Sequence, residues 1–166
     1  SWLVTGWSPD KDQLLLGKSE SNTENNLFLL DLETGSLDRL SESGVHHVTP
    51  RWSHDGRALF YGSNRGGEFA LLRRDNLETG AETVLSESIQ WDVTSIQESH
   101  DGSSLLVEFN EDGVSRYYLT DAHGSEFVRL DLSIPGLMSV ALHPRKPRLL
   151  INHVDISKPK GCAFCA

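Results

Sequence analysis

Histidines, a cysteine pair and recurring serine–aspartate pairs are the groups in this chain that could do chemistry. It has seven histidines and two cysteines in 166 residues. Cys162-x-x-Cys165 has the spacing of a redox dithiol or of half a zinc site. A zinc site needs two more ligands at matched spacing, and a redox dithiol needs a strand and a helix around it. Nothing near residue 162 supplies either, so no metal and no cofactor is assigned. His123, His143 and His153 stand alone, without a partner at metal-ligand spacing. Ser8-Pro9-Asp10, Ser53-His54-Asp55 and Ser99-His100-Asp101 invite comparison with nucleophilic catalysis. Catalytic serines are recognised by geometry, on a strained and exposed turn beside a base. A Ser-x-Asp word that returns at fixed intervals is instead a turn former. The chain has no Gly-x-Ser-x-Gly nucleophile elbow, so no catalytic residue is assigned.

The elements that carry these residues repeat. The Ser-x-Asp words recur about every 45 residues, and a fainter copy follows at Leu142-His143-Pro144-Arg145. A second word follows each of the first three: Asp31-Leu32-Glu33-Thr34-Gly35, Asn76-Leu77-Glu78-Thr79-Gly80 and Thr120-Asp121-Ala122-His123-Gly124. In the second repeat the turns separate four short runs rich in branched and aromatic residues: His47 to Trp52, Ala58 to Ser63, Phe69 to Asp75 and Ala81 to Leu85. These read as strands of an antiparallel meander. No ten-residue stretch has capped helical periodicity.

Four-stranded units at this period are the blades of a β-propeller. The expected fold is therefore all-β, a partial propeller of about three and a half four-stranded antiparallel blades. They are expected at about residues 1–43, 44–88, 89–133 and, incomplete with two strands, 134–155. Residues 156–166 read as a tail. In such a fold His46 and His47 precede an innermost strand and are candidates for lining the channel or an entry loop. Arg65 and Arg116 follow second strands. They read as hairpin and inter-blade anchors to carboxylates such as Glu68, Asp92 or Asp112, or as a charged channel rim. His54 and His100 hold one repeat slot, on one face but well separated.

The 15 basic and 24 acidic residues give a formal charge of −9. That disfavours nucleic acid, which calls for a basic stripe. The densest basic stretch, Arg145-Lys146-Pro147-Arg148, reads as a solvated hairpin. No run of 18 apolar residues suggests a membrane span, and no charged-then-apolar leader opens the chain. The expectation is a soluble protein of unassigned compartment, cytoplasmic or periplasmic. An incomplete ring leaves strand edges open, so self-association through those edges is expected.

Several phrases, in order, resemble the propeller of the prolyl oligopeptidase family of serine peptidases, in its acylaminoacyl- and dipeptidyl-peptidase-like branches. They are Pro50-Arg51-Trp52-Ser53-His54-Asp55-Gly56, Tyr61-Gly62-Ser63-Asn64-Arg65-Gly66-Gly67-Glu68-Phe69, Trp91-Asp92-Val93, and Asn110-Glu111-Asp112-Gly113-Val114-Ser115-Arg116-Tyr117-Tyr118-Leu119. The resemblance covers about residues 7–153. It implies a propeller that caps a separate α/β-hydrolase domain and restricts access to peptides. The catalytic residues would lie in that other domain, so this chain would not itself be an enzyme. Its partners would be peptide substrate or the hydrolase domain. The family usually has proline where His54 and His100 stand, which still permits the turn. The alternative is a stand-alone binding propeller resembling that of the Tol system, a protein-interaction scaffold.

Overall fold

The computed structural model describes residues 1–132, 137–146, 148–154 and 161–165, with the backbone alone for 137, 153–154 and 161–165. Strands β1 (Trp2–Trp7), β2 (Gln13–Ser19), β3 (Asn25–Asp31) and β4 (Leu37–Arg39) form one antiparallel sheet in sequence order. Strands β5 (His47–Trp52), β6 (Ala58–Ser63), β7 (Leu71–Asn76) and β8 (Glu82–Val84) form the second. The third contains β9 (Asp92–Glu98), β10 (Ser104–Glu111), β11 (Val114–Asp121) and β12 (Val128–Arg129). Each is a blade, and the described residues form no helix.

The repeated words do the same work in each blade. The Ser8, Ser53 and Ser99 hydroxyls donate to Asp10, Asp55 and Asp101 at 2.5, 2.6 and 2.7 Å. Each also accepts the N–H of the residue five positions on, at 3.0, 2.9 and 3.0 Å. The serine proton and lone pair are thus committed to closing the hairpin. The residue after each aspartate is left-handed: Lys11, Gly56 and Gly102 have φ of 68°, 72° and 71°. In the second word the Asp31, Asn76 and Asp121 side chains accept backbone N–H groups of the following turn.

Consecutive innermost strands β1, β5, β9 and β13 (Leu137–Leu142) are neighbours, which sets the blades side by side around a common axis. The core consequently lies in seams between blades. Leu15, Leu27, Trp52, Leu59 and Tyr61 fill the first seam. Phe60, Leu72, Val93, Ile96, Leu105 and Phe109 are among those filling the second. Leu106, Tyr117, Val140 and Ile151 fill the third. All six positions of β6 are buried, because this central blade is covered on both faces. Trp7 and Trp52 hold the same repeat slot, yet Trp7 is 57% exposed and Trp52 9%. Only Trp52 has a preceding blade among the described residues to pack on, a burial that contributes about 2–3 kcal/mol.

A Val-Thr pair also recurs, at Val4-Thr5, Val48-Thr49 and Val93-Thr94. It marks a β-bulge in β1, β5 and β9, where register shifts by one residue. Thr5 and Thr94 steady theirs by donating to the carbonyls of Leu15 and Glu108, at 2.9 and 3.3 Å. Bulges raise the local twist and bend the strand.

Two expectations are corrected. The fourth unit has a third strand, β15 (Gly161–Cys165), paired along β14 (Leu149–Val154) from Leu149↔Cys165 to His153↔Gly161. The sequence places those five residues in the expected tail. They carry no charge, and an open edge of β14 offers them a ladder. The rest of that segment, 155–160 and 166, lies outside the described residues, as do the Cys162 and Cys165 side chains. Second, His54 and His100 are not well separated. Their ring centroids are 6.0 Å apart and edge-on, because successive turn words stack across the seam.

The second seam yields a stability prediction. A Cβ on Gly62 would lie 2.6 Å from Val48 Cγ2 and 3.0 Å from Val93 Cβ. Gly62→Ala should therefore destabilise the chain by about 1–3 kcal/mol, as overpacking does. Denaturant unfolding is the check, and an unchanged midpoint would refute the tight fit.

Candidate functional site

The residues singled out from sequence meet best in the seam between the first and second blades. His47 opens β5 and is 7% exposed. Its backbone N–H donates to Asn25 Oδ1 at 2.7 Å, and Asn25 Nδ2 donates back to its carbonyl at 2.7 Å. Its ring Nδ1 lies 3.1 Å from the Asn25 carbonyl oxygen, which suits a neutral ring carrying its proton there. The ring packs on Tyr61 with centroids 5.3 Å apart. Burial holds the imidazole below its usual pKa.

Behind Tyr61 is a charged cluster. Glu82 accepts from the Tyr61 hydroxyl at 2.9 Å, from Arg73 at 2.6 Å and from Arg65 at 3.2 Å. Arg65 also bonds Glu42 at 2.6 Å, linking the second blade to the connection that leaves the first. Arg73 is buried and further bonds the Arg65 carbonyl. Burial pushes the Glu82 carboxyl up, but the Tyr61 hydroxyl and the two guanidinium groups outweigh it and hold it below the usual range. Asp75 goes the other way, raised by burial, and its Oδ1 is buried without a hydrogen bond. Burial, with Asp75 and Glu82 nearby, raises the Tyr61 phenol too, so it stays protonated. These groups line a cavity of about 80 Å³, room for one or two waters. The arrangement clamps two blades: Glu42 and Glu82 are matched by Arg65 and Arg73, and the Tyr61 hydroxyl is a committed donor.

His47 and Arg65 thus share one cavity wall. His46 joins the same seam through its backbone N–H, which donates to Asn64 Oδ1 at 3.1 Å. Arg116 sits apart, on β11 of the third blade, 3.9 Å from Glu111. The carboxylates used are Glu42, Glu82 and Glu111, where Glu68, Asp92 and Asp112 were expected. Asp92 is taken by another latch: it accepts the Ala70 N–H at 2.7 Å, tying the second blade to the third. That capture draws Phe69 and Ala70 out of the expected third strand, which begins at Leu71. Asn25, Tyr61, Arg73, Asp75 and Glu82 were missed. Charges inside the apolar run Leu71-Leu72-Arg73-Arg74-Asp75 were the available signal.

Burial of His47 sets a pH dependence. Its pKa is 6.5 when unperturbed and lower in the fold. The unfolded chain therefore binds a proton first, and His47 contributes stability in full above pH 6.5 and loses it as pH falls below that. Stability should decline from pH 7 towards pH 5, and His47→Phe should flatten the decline in urea titrations. An identical slope in the variant would show that other groups carry it.

No protein-family model matches the chain. The uncharacterised peptidase YuxL of Bacillus subtilis strain 168 is 31% identical over 106 residues, covering 61% of this chain and 16% of that protein. Oligopeptidase B of Trypanosoma brucei superposes with a TM-score of 0.77 at 17% identity, over 99% of this chain and 25% of that one. TolB of Acinetobacter baumannii gives 0.75 at 18% identity, over 99% of this chain and 40% of that one. The chain therefore spans well under half the length of each. It is a partial β-propeller, similar in sequence to part of a bacterial peptidase and in fold to the propellers of prolyl oligopeptidase-like peptidases and of TolB.

Proposed function

We propose that this chain is the non-catalytic propeller portion of a prolyl oligopeptidase-like serine peptidase, acting in substrate gating and in contact with a hydrolase domain. The observation that carries the reading is the 31% identity to a peptidase over 106 residues. The exposed Trp2, Val4 and Trp7 on the first blade supply a contact face. Trp52 uses the equivalent slot to bury itself on a neighbouring blade. The partner for Trp7 is accordingly another blade, of the same polypeptide or of a second copy.

The TolB likeness supports the second reading, a protein-binding scaffold, since its TM-score of 0.75 is close to that of oligopeptidase B at 0.77. A fluorophosphonate serine probe separates the two. Under the peptidase reading, the isolated chain stays unlabelled and the full-length protein that carries it labels at one serine outside these residues. Stoichiometric labelling of the isolated chain overturns the non-catalytic assignment. An unlabelled full-length protein overturns the peptidase and leaves the scaffold.

A further inference from the structure

The turn words stack across the first two seams through one slot. Pro9 of the first blade sits over Gly56 of the second, where a Cβ would lie 3.4 Å from Pro9 Cδ. His54 of the second sits over Gly102 of the third, where a Cβ would lie 2.9 Å from His54 Cβ. The next step would seat His100 over the same slot of the fourth blade, and that residue is Lys146. Lys146 has a Cβ, and it is not among the left-handed residues, unlike Lys11, Gly56 and Gly102. The fourth hairpin still closes, His143 N–H to Arg148 carbonyl at 2.8 Å, but takes a different path, with Arg148 N–H bonded to the Lys146 carbonyl at 2.7 Å. Here the third seam opens into a cleft of about 490 Å³, within the range of sites for small ligands.

The cleft has a definite chemistry. Leu119, Leu142 and Leu149, all partly buried on the third core cluster, give it an apolar floor. Arg145, Lys146 and Arg148 supply three cations, and none forms an ion pair among the described residues. The opposite wall carries serine hydroxyls and His100. Its single carboxylate, Asp101, is held ionised by hydrogen bonds from Ser99 and Ser103, with a pKa pushed down to about 2. Below the floor the seam is pinned by Gln97, whose amide donates to the Val140 carbonyl at 2.9 Å and accepts the Leu142 N–H at 3.0 Å. The opening is thus confined to the turn face.

We propose that this cleft binds a short peptide through its free C-terminal carboxylate and an apolar terminal side chain. The three cations take the carboxylate, the leucine floor takes the side chain, and the Ser99 and Ser103 hydroxyls, whose protons Asp101 holds, offer their remaining lone pairs to the peptide N–H groups. A simple fatty acid would leave that wall unmatched. A polyanion would meet Asp101 and the field of a chain with net charge −9.

The test is an amide-resolved NMR titration of the 15N-labelled chain with acetyl-Ala-Ala-Leu, as free acid and as C-terminal amide. The acid should give saturable shifts confined to residues 99–104 and 142–149, and the amide should bind about tenfold more weakly, the loss of one charge-assisted contact. Arg148→Gln and Arg145→Gln should each weaken the acid at least about threefold, a smaller share of the same contact. Lys146→Gly should let His100 seat, close the cleft and abolish the shifts, whereas Lys146→Gln, which keeps the Cβ but loses one charge, should still give saturable shifts, weakened about threefold like the arginine variants. Equal binding of acid and amide, or full binding by Lys146→Gly, overturns the proposal. So does octanoate or inorganic phosphate producing the same saturable shifts, since a lipid-like or adventitious anion site would then explain them. If an arginine variant fails to fold, the comparison of acid with amide on the unaltered chain still decides.

Discussion

Burial of a sheet on both faces is the constraint from which this structure follows. A four-stranded meander has two apolar faces and cannot hide either by itself. Each blade hides one face on the blade before it and the other on the blade after. The second blade shows the result most fully: every residue of β6 is buried, Gly62 is squeezed between Val48 and Val93, and Trp52 lies on Leu15 and Leu27. The first blade shows the converse, with Trp2, Val4 and Trp7 exposed on its outer face. The same sequence slot is core or surface according to whether a neighbour stands beside it.

The polar groups follow from the same geometry. Where β7 meets a seam it carries Arg73 and Asp75, which must find partners in a partly dry space. Glu82 answers Arg73, and Tyr61 and Arg65 complete its shell. Removing one partner of such a cluster costs more than the cluster as a whole contributes, because the group left behind is buried and uncompensated. These contacts therefore fix register between blades more than they add net stability. Exposed Arg65–Glu42 is a weaker tie, worth about 0–1 kcal/mol, and belongs to the rim of the clamp.

Local order was legible in the sequence, and contacts across seams were not. The hairpins were readable because Ser-x-Asp and the Thr-Gly words commit their own side chains to their own turns. Strands such as Trp2–Trp7, His47–Trp52 and Ala58–Ser63 fall where branched and aromatic runs place them. Nearness along the chain favours Glu68 for Arg65, whereas folding brings Glu42 and Glu82, 23 and 17 residues away, within reach. The distance between His54 and His100 was misjudged for a related reason. Equal slots in a repeat were treated as separate sites, when stacking brings equal slots of consecutive blades together. The strand at Gly161–Cys165 was missed because it has none of the repeat words and is specified by the edge it pairs with.

Three seams built from one repeat have become three different joints. The first is clamped by ions around a small cavity, the second is closed by aliphatic and aromatic packing, and the third is pinned by the Gln97 amide and the Tyr117 hydroxyl and open at its turn face. The slot that follows the turn aspartate explains part of this difference. With glycine there, as at Gly102, the preceding turn can descend to van der Waals contact. With a side chain there, as at Lys146, it cannot, and the space appears at the edge of an intact blade pair. A repeat protein can in this way open a cleft by changing one residue in a turn while the strands and their ladders keep their register. Variation in that slot, rather than in the strands, is where this architecture can differ in function without differing in fold.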